Sequence, residues 1–547
     1  MSKGQPSQMA SGRDKPSRDK PGKAKSGKDK PGRDKPSRDK PGRDKPGKAA
    51  AARSTSGHAD RSRRKSDKDH RPGDHATSVA APVGQRFYDM PYSATAPRLI
   101  HPEIGLHNLV SRAGHNAAYS IDVTLLDAPD HRLIRSGVLL AHRVLDGRGE
   151  WYLGAPEWQP ALPQERVESM GQADLPEGFA DLVRPFRRRA TLGPVAALTC
   201  DRREFALRDD RGTTMALLRD DKVTVRRGGL TTARYREVTV TPTEAGLTDE
   251  QAAHLTRTLA SAGATAVMEF PRLVTRLGAP ATGPTDFPVP QELDADASFT
   301  QFVSQLLASR LREILSADLN IRAGQADGTA ELTARAAQLR VELQGLSSVL
   351  DVSWLEDLDE ELGWVAELAE RPGSRAAGEN AGRPGIPHRL RGERYLTLLD
   401  RLVTATRAPQ LGNASSLQAA EVLGSLVNVA QGAVVKAAGR LRVDSPSAEW
   451  AATGDAFDEL FRVTGVAARL LPERVERLRH RLGVATQLLT EAAKHSQAAQ
   501  HSKELAARSA ADDAFALGRA YEHELAVAKM AREAFVRRWV KTSKKLE

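Results

Sequence analysis

The sequence predicts an α+β protein, with an antiparallel β domain followed by an all-α helical bundle and a disordered basic tail in front of both. Three observations carry this reading. Residues 12–48 repeat a five-residue unit that contains no large apolar side chain; residues 85–278 hold short β-prone runs between turn signals; and from Phe299 onward the apolar spacing changes to the helical period. At 547 residues, 40% hydrophobic and 28% charged, the chain is long enough to bury two or three cores.

The tail comes first. Units such as Gly12-Arg13-Asp14-Lys15-Pro16 and Gly32-Arg33-Asp34-Lys35-Pro36 match neither a helix nor a strand period. Proline removes backbone donors, and nothing apolar offsets the entropy of ordering, so residues 1–84 are expected to be disordered. The net charge of +11 divides unevenly: residues 1–80 hold 23 Lys and Arg against 10 Asp, a net +13, and the rest of the chain nets −2. A string of evenly spaced cations releases counterions from any polyanion it touches, in a salt-sensitive and sequence-blind way. The bland alternative is a solvated tail that only keeps the protein dispersed, and Arg61, Arg63, Arg64 and Lys65 share that ambiguity.

In the middle region, runs at 119–126, 138–145, 151–153, 196–207, 214–225 and 235–241 read as strands. Asp146-Gly147, Asp210-Arg211-Gly212 and Gly228-Gly229 mark tight turns, as antiparallel neighbours require. Thr248 to Ala262 reads as one helix. Residues 279–298, with Pro280, Pro284, Pro288 and Pro290, read as an extended linker.

Beyond the linker, Val303, Leu307, Leu311 and Leu315 form a core-facing stripe, as do Leu517, Tyr521, Leu525, Phe535 and Trp539. Further helices are expected near 330–350, 352–370, 390–406, 416–440, 449–470, 473–494 and 511–542. Trp354, Trp364, Trp450 and Trp539 are read as packing anchors.

The strand order and the run from Asp127 to Val138, Asp-Ala-Pro-Asp-His-Arg-Leu-Ile-Arg-Ser-Gly-Val, resemble the CYTH domain of triphosphate tunnel enzymes over about 115–278. That resemblance implies an antiparallel β-tunnel or barrel in which arginines and lysines hold a triphosphate and carboxylates hold a divalent metal. Much of the expected set is missing. No E-x-E-x-K triplet occurs between Arg86 and Asn116, Gly154 replaces the lysine of W-x-L-K-x-P, and the late acidic strand becomes Arg236-Glu237-Val238-Thr239-Val240-Thr241. Arg135, Arg143, Arg202, Arg236 and Arg272 remain to line a lumen, and Glu237 is the single retained candidate for metal. The alternative for each arginine is a solvated strand residue.

The helical half, about 299–543, resembles the CHAD domain in domain order, length and spacing, in Asn320-Ile321-Arg322 and in Phe515-Ala516-Leu517-Gly518-Arg519. The resemblance implies a helical bundle that binds inorganic polyphosphate. Its two basic motifs are depleted. Arg340 with Val341 survives from the first, Gly454 and Asp458 stand at cation places of the second, and the following segment is Arg371-Pro372-Gly373-Ser374. The cluster Arg474, Arg477, Arg479, His480 and Arg481 reads as a solvated helix face, with a residual anion patch as the alternative, and His495 and His501, six apart, suit no helical metal pair.

The expected function is therefore a non-enzymatic binding protein for inorganic polyphosphate or another polyanion, without cofactor and without bound metal. The candidate anion-binding residues are Arg135, Arg143, Arg202, Arg236, Arg272, Arg340 and Arg371. The alternatives are a metal-dependent triphosphate hydrolase and a nucleic-acid-associated scaffold that uses the tail. The single Cys200 excludes an intramolecular disulfide, and no apolar run of membrane-spanning length occurs, so a cytoplasmic, membrane-free protein is expected.

Overall fold

The computed structural model describes residues 84–114, 117–169, 174–294, 296–368 and 385–546. The tail and Arg371 lie outside those residues. In the first half the elements run β1 (Arg86–Met90), β2 (Asn108–Ser111), β3 (Ala118–Asp127), α1 (Arg132–Arg135), β4 (Leu139–Leu145), β5 (Arg148–Gly154), β6 (Glu165–Ser169), α2 (Glu177–Arg187), β7 (Gly193–Arg208), β8 (Thr214–Arg227), β9 (Leu230–Pro242), α3 (Asp249–Ser261), β10 (Thr265–Val267) and α4 (Leu273–Leu277). The second half is helical: α5 (Phe299–Arg322), α6 (Gly328–Gln344), α7 (Val352–Ala366), α8 (Ile386–Leu390), α9 (Glu393–Arg407), α10 (Ala419–Ala438), α11 (Ser447–Ala467), α12 (Pro472–Ala506) and α13 (Ala511–Ser543).

The strands form one antiparallel sheet in the order β10-β1-β9-β8-β7-β3-β4-β5-β6, with β2 added on β7. Asp146-Gly147 and Gly228-Gly229, all at positive φ, make the tight turns that join β4 to β5 and β8 to β9. Among the described residues no ladder joins β6 to β10, so the sheet curls without closing its hydrogen bonds into a ring. Its curl shows in the packing: Tyr152 of β5 and Val223 and Val225 of β8, four strands away, belong to one apolar cluster.

Three layers cover the sheet. On its outer face Val238, Val240 and Leu218 pack beneath Leu255 and Leu259 of α3, a helix opened by a reciprocal Thr248–Gln251 capping box. Farther along the outer face, Leu140, Trp151 and Leu153 join a continuous core with Phe179 and Phe186 of α2, Phe287 and the buried stripe of α5. On the inner face Leu277 of α4 and Ala281 pack against Ile121, Leu198 and Cys200.

The described residues of 279–298 carry no regular helix or strand, yet Phe287 and Asp286 are buried and Phe287 meets Trp158 and Phe186 edge to face. In the bundle, Trp450, Phe457, Phe535 and Trp539 form one aromatic cluster that ties α11 to α13. Among the described residues no helix is long and apolar enough to cross a membrane.

Candidate functional site

Residues directly opposite one another in an antiparallel ladder share a face. The register therefore lays out a single row across five strands: Asp89 on β1, Glu237 on β9, Asp221 on β8, Arg202 on β7 and Tyr119 on β3. The parity of Cys200, Val223 and Tyr235 places this row on the inner face. A second group on the same face holds Arg143 of β4 opposite Glu150 of β5, with Glu165 of β6 beyond.

The charges in these rows neutralise one another. Arg202 donates from Nε and Nη2 to the two Asp221 oxygens at 2.7 and 2.9 Å, and Arg219 approaches Asp221 at 3.4 Å. Arg143 reaches Glu150 at 2.6 Å and Glu165 at 3.6 Å while its guanidinium stacks 4.1 Å from the Tyr152 ring centre. From α4, Arg276 places Nη2 3.1 Å from Asp89 Oδ2 and 3.2 Å from Glu237 Oε1, with its guanidinium over Tyr235. Burial pushes the Glu237 carboxyl up to about 6, against the opposing pull of Arg276. Burial likewise raises the Cys200 thiol to about 12, which makes it an inert core group.

The structure revises what was expected of four residues, Arg236, Arg135, Arg272 and Glu237. Arg143 and Arg202 do share the inner face, but Arg236 has the opposite parity: it lies on the outer face, bound at Nε and Nη2 to Asp220 at 2.7 Å each and to the Ala94 carbonyl. Arg135 is on α1, where it holds the Asp130 and Pro284 carbonyls instead of lining the sheet. Arg272 is the exposed residue that precedes α4, and it is Arg276, one turn later, that enters the face. Glu237 is also not isolated, because Asp89 and Asp221 flank it. Among the described residues no three His, Cys, Asp or Glu side chains gather as a metal cage, since arginine nitrogens stand between the carboxylates.

The helical half repeats this neutralisation. Arg340 forms a two-point pair with Asp359, 2.7 Å on each side. Arg310, buried on α5, is held by Glu342 at 2.6 Å and Glu313 at 2.7 Å. Arg477 pairs along its own helix with Glu473 at 3.4 Å, and Arg481 donates to the Lys545 carbonyl. His495 meets Glu524 at 2.5 Å and has no metal-type partner set.

The fold is a curled antiparallel sheet followed by a helical bundle, the order of architectures that the resemblance to CYTH and CHAD domains implies. No family model and no curated protein matches the sequence. Solved structures similar to this chain include PptA from Streptomyces chartreusis, at 18% identity over 45% of this chain and 100% of that one, TM-score 0.32. The CHAD domain from the plant Ricinus communis is 18% identical over 46% of this chain and 95% of its own, TM-score 0.30. An adenylyl cyclase-like protein from Hippeastrum with a dominant triphosphatase activity is 12% identical over 36% of this chain and 98% of its own, TM-score 0.19.

Proposed function

We propose that this protein is a cytoplasmic, non-catalytic binder of inorganic polyphosphate or a comparable polyanion, and that the basic tail makes the contact. The observation that carries the reading is the pairing on the inner face. Arg202, Arg143 and Arg276 each already hold carboxylates, so an incoming phosphate must displace a charged partner from a half-buried or buried position. The excess cations lie instead in residues 1–80, at net +13 against −2 for the remainder. The test is retention on immobilised long-chain polyphosphate at about 50 and about 200 mM salt. Full-length chain should be held at the lower salt and released at the higher, and a chain beginning at residue 84 should pass through at both. Undiminished retention of the shortened chain overturns the proposal, and competition by DNA and RNA at one ionic strength tells a polyphosphate partner from a nucleic acid.

A second reading, a metal-dependent triphosphate hydrolase, draws on the row Asp89, Glu237, Asp221 beside Arg202. There the carboxylates would hold the ion and the arginines the phosphate oxygens, once Arg276 had moved away. Release of orthophosphate from tripolyphosphate in the presence of magnesium or manganese, abolished by Glu237→Gln, would establish it in place of the first.

A further inference from the structure

A cavity of about 570 Å³ opens where the sheet half meets the bundle. Arg166 of β6 and the first turns of α2 form one side of its lining, and Arg322 at the end of α5 and Arg391 after α8 form the other. From this arrangement we infer a binding site for a small phosphate-class anion, orthophosphate or a short oligophosphate, separate from the inner face of the sheet and from the tail.

The donors are unequal. Arg322 is a fixture: Nε goes to Asp318 at 2.9 Å, Nη1 to Asp181 at 2.8 Å and Nη2 to the Leu390 carbonyl at 3.1 Å, with the side chain 2% exposed. Asp181 also accepts from Arg391 Nε at 2.7 Å and Nη2 at 3.0 Å. That contact orients Arg391, whose Nη1 has no partner among the described residues and whose side chain is 38% exposed. Arg166 gives Nη2 to Glu168, lies over the Phe179 ring and is 41% exposed, so most of its donors remain open.

Gly178 sets the spacing. A Cβ there would stand 3.3 Å from Arg166 Nη2, so the missing side chain lets the guanidinium lie against the first turn of α2. Pro176, the N-cap of α2, offers no side-chain acceptor to the amides of that turn. Donors thus come from β6, from α2 and from the bundle side. A tetrahedral oxyanion can use three such directions, whereas a planar carboxylate is satisfied by one guanidinium fork. Glu177 and Asp181 stand in the lining, and Glu168 and Asp318 pair with Arg166 and Arg322, so the pull on an anion comes from the open nitrogens of Arg166 and Arg391 and not from a surplus of charge.

Because the walls come from both halves of the molecule, an occupant should also brace the junction. The proposal does not rest on the polyanion reading, since a long chain drawn to the tail and a small ion seated in this cavity use different cations.

The test is calorimetric titration of the full-length protein with orthophosphate, tripolyphosphate and malonate at about 0.15 M salt, which screens contact with the tail. Arg166→Gln should weaken phosphate binding about tenfold or more. Glu177→Gln, which removes an exposed negative charge at the rim, should tighten it about two- to fivefold. Glu177 is exposed and Arg166 partly so, and unchanged circular dichroism confirms an intact fold. Absent phosphate binding, equal affinity for malonate, or variants that shift affinity in other directions would overturn the inference. Arg166→Gln should leave polyphosphate retention unaltered, which separates failure here from failure of the tail reading.

Discussion

Arg202 and Asp221 meet side-on across β7 and β8, Nε to Oδ1 at 2.7 Å and Nη2 to Oδ2 at 2.9 Å, with each side chain about 6% exposed. A guanidinium in this state is a structural partner, because the geometry it would offer a phosphate is already filled by a carboxylate. The pair is also costly to break from one side, since the survivor is left charged and dry.

Asp221→Ala should therefore destabilise the fold by about 3–5 kcal/mol, read from the midpoint of urea unfolding. It should also take a carboxylate away from Arg202 and Arg219 and so admit an outside anion to the inner face, and tripolyphosphate should raise the melting temperature of the variant by more than it raises that of the parent. Equal shifts in the two proteins would show that the Asp221 carboxylate is not what keeps anions out.

The Glu237 carboxyl, held up at about 6 by burial, makes a prediction about pH. The folded state binds this proton more tightly than the unfolded chain, where the value is 4.5. The stabilisation is complete below about 4.5 and is lost as the pH climbs through about 6, at a cost of about 2 kcal/mol once the group is ionised. Glu237→Gln should remove that dependence, so the stability difference between variant and parent should move in the variant's favour by about that amount from pH 4.5 to pH 7. A difference that stays constant across the range would mean that the carboxyl titrates as an ordinary glutamate.

Much of the fold was legible because it rests on local patterns. The helical stripe at Val303, Leu307, Leu311 and Leu315 is fully buried on α5, and the runs read as strands at 119–126 and 214–225 are β3 and β8. The short strands β1, β2, β6 and β10 escaped, because three to five residues carry too little alternation to stand out. The inner face was legible only in part, since facing is a matter of register. The Gly228-Gly229 turn alone would set Asp220 opposite Glu237. A bulge between Val225 and Arg226 shifts the pairing by one, which brings Asp221 to the inner face and leaves Arg236 with Asp220 on the other side. The carboxylate on β1 was hidden for a different reason: it is an aspartate, Asp89, in a strand of five residues, where the resemblance leads one to look for paired glutamates.

At the junction of the two halves, Asp286 is 7% exposed and accepts from Arg188, 4% exposed, at 2.5 Å, while Arg407 holds its other oxygen. Asp286→Ala takes one carboxylate from the buried Arg188, which keeps only Asp400, and the same carboxylate from the half-exposed Arg407, and should cost about 3 kcal/mol. Arg189→Ala removes an exposed contact to Glu393 in the same neighbourhood and should cost about 0–1 kcal/mol. Chemical unfolding of the two variants beside the parent checks the contrast, and similar losses would mean that the buried network does not hold the junction.

Arg276 supplies the sharpest prediction about the inner face. A single nitrogen of its guanidinium lies within 3.2 Å of both an Asp89 oxygen and a Glu237 oxygen, so a cationic group stands where two carboxylates converge. Removing it by Arg276→Ala leaves like charges facing each other on neighbouring strands, with Asp221 next in the row. Two remedies are available to such a group: one carboxyl takes up a proton, or a hard divalent cation takes the place of the guanidinium. Arg276→Ala should therefore gain a melting-temperature increase with magnesium or manganese that the parent lacks, and the increase should fade as the pH falls, since the Glu237 carboxyl takes up a proton at about 6 even with the arginine in place. A variant indifferent to divalent ions at neutral pH would show that these carboxylates do not come close enough to share one, and that the arginine is a packing element and not a substitute for metal.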